Sequence, residues 1–189
     1  LPAGNSISWS GQFEQMLEAE KRMRIAIPSA ILIIFLLLML HFGSVDRTLM
    51  VMISLPFGLI GGVWALYLAD YNFSVAVGVG FIALGGIATE TAVVMLIYLD
   101  QKMLDMPPNT LKDLRSNVIH GAVLRVRPKL MTVSVTMAGL MPIFVTDGLG
   151  SDVLRRIALP MVGGMVTTTI LTLIIIPVIY YIWEGRRFD

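Results

Sequence analysis

Ile31-Leu32-Ile33-Ile34-Phe35-Leu36-Leu37-Leu38 is eight consecutive residues without a polar side chain, and it sits inside an apolar stretch covering residues 25–42. A helix needs about 20 apolar residues to cross the hydrocarbon core of a bilayer. Working outward, four further stretches have membrane character: residues 49–69, 73–99, 129–145 and 157–183. The reading is an all-α integral membrane protein with five spans. Backbone groups in lipid must be satisfied within the segment itself, which favours helices for stretches of this length.

Composition agrees with lipid contact. Of the 189 residues, 56% are hydrophobic and 14% charged, and the mean hydropathy is +0.80. A soluble domain carries about a quarter charged residues. Disorder is excluded, because disordered chains are poor in large aliphatics. The net charge of +1 implies no strong field for nucleic acid. With no cysteine, disulfides, thiolate metal sites and thiol nucleophiles fall away.

The segments between spans set an orientation. Residues 100–128 form a long basic loop that carries Lys102, Lys112, Arg115, Arg125 and Arg127, with Lys129 following. Positive loops lie on the cytoplasmic side. Arg47, this loop with Lys129, and Arg186-Arg187 place nine basic residues inside, against five outside (Lys21, Arg22, Arg24, Arg155, Arg156). The N-terminus is then periplasmic and the tail at 184–189 cytoplasmic. Ser6-Ile7-Ser8-Trp9-Ser10 alternates as a short strand does, and residues 13–24 read as a charged helix leading into the first span. Residues 1–24 therefore read as the end of an extracytoplasmic domain, and the chain as a piece of something longer. After the break at Pro107-Pro108-Asn109, residues 110–126 read as a surface helix with Leu111, Leu114, Val118 and Ala122 on one face.

Prolines fall in or at the ends of spans (Pro28, Pro56, Pro142, Pro160, Pro177), and glycines pair at Gly61-Gly62, Gly85-Gly86 and Gly163-Gly164. Helices in lipid gain little from hydrophobic contact with one another, so small residues that let backbones approach read as packing sites.

Glu90 stands apart. It lies mid-span in Gly85-Gly86-Ile87-Ala88-Thr89-Glu90-Thr91-Ala92, about 15 Å along the helix from Asp100. A carboxylate at that depth costs roughly 3 kcal/mol on insertion scales. It is expected to face the bundle interior, find a partner or be protonated, and it has two readings: a structural polar residue bonded to a neighbouring helix, or a proton carrier. A carboxyl balanced between desolvation and a nearby cation can bind and release protons as its surroundings move. Lys129 is its natural partner, with Thr132 and Thr136 continuing the same face. The other reading of Lys129 is a side chain that snorkels to the interface.

Two methionine pairs at i, i+4 spacing, Met137/Met141 and Met161/Met165, are weak metal-ligand candidates. Thioethers suit Cu(I) and, by extension, Ag(I), while methionine is equally a filler of apolar packing. His41 and His120 lack a second ligand at metal-binding spacing and read as surface residues. Gly78-Val79-Gly80 lies within an apolar span, away from the strand-to-helix turn that a phosphate-binding loop needs. No Ser-His-Asp arrangement is visible. The chain reads as no enzyme and needs no cofactor, and an ion gradient is left as the energy source for any transport.

Several segments together resemble the permease subunit of resistance-nodulation-division (RND) efflux pumps. They are Ser8-Trp9-Ser10-Gly11-Gln12-Phe13-Glu14, Leu55-Pro56-Phe57 with Gly61-Gly62, Val79-Gly80-Phe81-Ile82-Ala83-Leu84, Arg125-Val126-Arg127-Pro128-Lys129-Leu130-Met131-Thr132, Gly148-Leu149-Gly150-Ser151 and Pro160-Met161-Val162-Gly163-Gly164. The match is to the heavy-metal branch, and within it to copper/silver (Cus-type) pumps. The resemblance implies spans eight to twelve of a twelve-span trimer in the bacterial inner membrane. Such a pump works with a periplasmic adaptor and an outer-membrane channel, and protons entering the bundle centre drive metal export. It also implies a proton relay of Glu90, Lys129, Thr132 and Arg125, whose aspartate partner lies on a span outside this chain. Leu154 stands where copper/silver pumps are expected to carry a methionine of the metal path, which leaves a divalent cation open as cargo. The rival readings are a drug exporter with the same proton antiport and, from another class, a non-transporting membrane scaffold or degenerate fragment.

Overall fold

The computed structural model describes residues 12–186. Five helices follow in order: α1 (Gln12–Phe42), α2 (Val45–Leu68), α3 (Val75–Asp105), α4 (Leu111–Val145) and α5 (Ser151–Gly185). No strand occurs among the described residues, and the strand expected at Ser6 to Ser10 lies outside them. Helices α1 to α4 each contain a stretch long and apolar enough to cross a membrane, with mean hydropathies of 2.6, 2.0, 1.9 and 1.4. Helix α5 adds a fifth when its two parts, Ser151–Ile170 and Thr172–Gly185, bent by 40° to one another, are taken as one span.

The helices begin where side chains cap them. Ser74 Oγ accepts the Val77 N–H at 3.4 Å at the start of α3. Thr110 and Asp113 form a reciprocal capping box at the start of α4, with bonds of 3.2 and 3.1 Å, so two free backbone donors are satisfied there. Gly43 (φ +62°) turns the chain from α1 to α2, and Gly150 (φ +87°) opens α5. Such backbone carries a steric cost for a residue with a Cβ.

Helices α1, α3 and α4 run further than the sequence reading expected. The charged lead-in and first span are one helix, α1. Residues 100–128, expected as a loop with a surface helix, are mostly helical, because α3 continues to Asp105 and α4 runs unbroken from Leu111 through Pro128 to Val145. Pro128 removes a single backbone hydrogen bond, and membrane helices tolerate proline where neighbouring groups make up that loss. The break falls at Pro107-Pro108-Asn109, where Asn117 Nδ2 donates to the Met106 carbonyl at 2.7 Å and ties the turn down.

Helix α5 packs against α2, α3 and α4. The α2–α5 contact is built on glycine. A Cβ on Gly61 would meet the Thr167 side chain and the Gly163 carbonyl, and one on Gly163 would meet Ala65. Thr167 Oγ1 takes advantage of that approach, accepting the Gly61 N–H at 3.1 Å. Gly164 similarly receives Leu84 of α3. At the end of the bundle near the α3–α4 turn, Val51, Leu96, Leu99, Leu114 and Ile176 are fully buried in one cluster. Beside it, Asp100 accepts a hydrogen bond from Tyr180 at 2.8 Å and forms an ion pair with Arg47 at 3.2 Å, which joins α2, α3 and α5. Helices α1 and α4 are peripheral: 6% of each apolar stretch is buried, against 39% for α2 and 33% for α3.

A candidate proton-relay site between α3 and α4

The glycines that precede Glu90 do no packing here. Among the described residues nothing lies within 4 Å of a Cβ built on Gly85 or Gly86, so this face of α3 is left open by them. Thr89 and Thr91, on either side of Glu90, donate back to the carbonyls of Gly85 (2.9 Å) and Ile87 (2.7 Å). That leaves Glu90 as the group in this turn without an internal bond to its own helix.

Opposite, α4 presents Arg125, Lys129 and Thr132. Their spacing of four and three residues puts them on one face of a helix. The continuity of α4 through Pro128 therefore aligns residues that the sequence reading had divided between a loop and a span. Glu90, Thr91, Arg125, Lys129 and Thr132 line one cavity of about 120 Å³, and α5 contributes Leu173. This volume has room for a few waters.

Within the site, Lys129 Nζ donates to Thr91 Oγ1. None of the ion pairs among the described residues joins Lys129 to Glu90. The Arg125 guanidinium lies over the Tyr98 ring, 4.3 Å from its centroid, a favourable cation–π geometry. Thr132 Oγ1 donates to the Lys129 carbonyl at 2.9 Å, and Thr136 Oγ1 to the Thr132 carbonyl at 2.9 Å.

The expectation that Glu90 is enclosed within the bundle is not met by this chain by itself. Glu90 is exposed, while Thr91 beside it is 8% exposed. The reason is that α3 turns its Gly86–Glu90 face away from α2 and α5. The four expected relay residues, Glu90, Lys129, Thr132 and Arg125, share the cavity; Thr136, which continues the Lys129 face, does not line it. The methionines do not behave as a set: Met165 is 1% exposed in the core, Met141 is 64% exposed, and Met137 and Met161 are half-buried. His41 and His120 are exposed. Among the described residues no group of three or more His, Cys, Asp or Glu is placed to hold a metal ion. Sequence reasoning passed over Thr91, whose one signal was its place next to Glu90. It also passed over Tyr180, which donates a hydrogen bond to Asp100.

A bundle of apolar helices with carboxylate, ammonium and guanidinium groups around one cavity defines a polytopic membrane protein with a charged site between its helices. The chain belongs to the AcrB/AcrD/AcrF family, whose profile matches residues 1–184. It is 48% identical over 194 aligned residues to the putative cation efflux system protein SilA of Salmonella typhimurium, covering 99% of this chain and 18% of that protein. It is 47% identical to the cation efflux system protein CusA of Escherichia coli, with the same coverage, and 37% identical to the cobalt-zinc-cadmium resistance protein CzcA of Cupriavidus metallidurans, covering 100% and 17%. The fold matches the crystal structure of a heavy metal efflux pump with a TM-score of 0.80 at 35% identity, covering 98% of this chain and 18% of that one. The chain thus spans about 18% of the length of these first relatives. The RND resemblance read from the sequence holds, in its heavy-metal branch.

Proposed function

We propose that this chain works as the C-terminal membrane part of an RND pump that exports heavy-metal cations, with Cu(I) and Ag(I) as cargo, in exchange for protons. The observation that carries the reading is the single cavity in which Glu90 meets Lys129, Arg125 and Thr132. In this account Glu90 takes up a proton from the periplasmic side through water in the cavity. Lys129 sets how readily the carboxylate accepts it, and movement of α3 against α4 releases it inward. The open Gly86–Glu90 face is covered by helices of the rest of the pump, which supply the second carboxylate. The assembly is a homotrimer in the bacterial inner membrane, with the tail of α5 cytoplasmic, and it engages a periplasmic adaptor and an outer-membrane channel. The work done is transport and not chemical conversion. No resident cofactor takes part, and the metal ion is cargo.

The test is Glu90→Gln in the intact pump. Metal resistance is expected to disappear while trimers still assemble, and retained resistance contradicts the proton role. A second reading, export of divalent cations, is favoured by Leu154, an apolar and 53% exposed side chain at the position where a methionine is expected for Cu(I) and Ag(I). Growth on copper and silver salts against zinc and cobalt salts separates the two. Growth on dyes and detergents tests drug export.

A further inference from the structure

Lys129 reaches across from α4 to α3, and the group it meets is the neighbour of Glu90. A threonine hydroxyl has one proton to give and lone pairs to accept with. Thr91 gives its proton to the Ile87 carbonyl at 2.7 Å, so towards the cavity it offers lone pairs only. An ammonium is a pure donor, and Lys129 Nζ donates to that oxygen. Thr91 is almost fully buried, and its branched side chain has few χ1 choices in a helix. The oxygen is therefore a fixed acceptor. Among the charged groups lining the cavity, Glu90 comes from α3 and Arg125 and Lys129 from α4. Among the described residues, helix α5 adds only Leu173, and α1 and α2 add nothing. Arg125 is already seated on Tyr98. Among the described residues of this chain that line the cavity, the acceptor of matching charge left for Lys129 without Thr91 is Glu90.

We propose that Thr91 is a positioning residue of the proton relay, whose hydroxyl holds the Lys129 ammonium away from Glu90 so that the carboxylate exchanges protons with water in the cavity instead of being locked in an ion pair. The proposal rests on the reading of Glu90 as the proton carrier. A direct Lys129–Glu90 pair would favour the ionised carboxylate, and transport would then need a more acidic medium.

The experiment uses the intact pump in proteoliposomes, with copper(I) as the transported probe, or zinc(II) should the growth assays assign a divalent cargo. Thr91→Val keeps the shape and removes the acceptor. It is expected to move the pH of half-maximal transport by about one unit to the acid side. Thr91→Ser keeps the hydroxyl and is expected to follow the wild type. Thr91→Ala removes atoms without adding any, carries the same expectation as the valine variant, and replaces it should that variant fail to assemble. An unshifted profile in the variant lacking the hydroxyl overturns the proposal, as does a serine variant that shifts equally. Glu90→Gln in the same assay keeps the two claims apart. Wild-type transport by Glu90→Gln removes the underlying reading, whereas an inactive Glu90→Gln beside an unshifted Thr91→Val removes only the role of Thr91.

Discussion

Glu90 and Lys129 share a cavity without forming an ion pair, and that separation suits the proton carrier proposed for Glu90. A carboxylate bonded directly to an ammonium stays ionised over a wide pH range. One that faces water near a cation can change charge as the distance between them changes. Lys129→Met keeps the side chain's apolar length and removes its charge. It is expected to lower transport by about tenfold in proteoliposomes while leaving assembly of the pump intact, and near-normal transport would show that the lysine only anchors α4 at the interface. Glu90 was legible in the sequence because a mid-span carboxylate costs about 3 kcal/mol and stands out against an apolar run. Thr91 was not. A threonine in a membrane helix usually bonds back to its own helix, as Thr91 does, and only the fold shows that its remaining lone pairs face Lys129.

At the scale of the helices, the glycine pairs separate into two kinds. Gly61 and Gly163 bring α2 and α5 into backbone contact, whereas Gly85 and Gly86 meet nothing among the described residues. Gly163→Val would press a branched side chain onto Ala65 and the Gly61 carbonyl. The expected destabilisation is about 1–3 kcal/mol, typical of overpacking, measured as a lower melting temperature in detergent. The bond from Tyr180 to Asp100 makes a second prediction. Tyr180→Phe loses one hydrogen bond to a charged acceptor, and about 1.5 kcal/mol of stability should go with it. An unchanged melting temperature would mean that water replaces the bond. The existence and order of the helices followed from apolar length, and the α3–α4 break from Pro107-Pro108-Asn109. The extent of α4 did not, because a proline after a basic stretch reads as a boundary, and whether a helix passes through proline depends on what packs around it. Tyr180 and Asp100 are 80 residues apart, and no local pattern connects them.

For the molecule as a whole, the topology we propose from the charge bias puts the α3–α4 turn in the cytoplasm and the α4–α5 turn in the periplasm. The segment contains no cysteine, which suits single-site labelling in a pump whose remaining cysteines have been removed. Leu149→Cys is expected to react with an impermeant maleimide from the periplasmic side, and Asn109→Cys only after the inner membrane is permeabilised. The reverse pattern would invert the topology and with it the direction of proton entry. The central claim is that protonation of Glu90 drives export. Its most direct measurement is simultaneous proton and metal flux in proteoliposomes containing the intact pump with Glu90→Gln. The account predicts that metal-dependent proton uptake and metal transport are lost together. Coupled flux at the wild-type ratio through Glu90→Gln would contradict it.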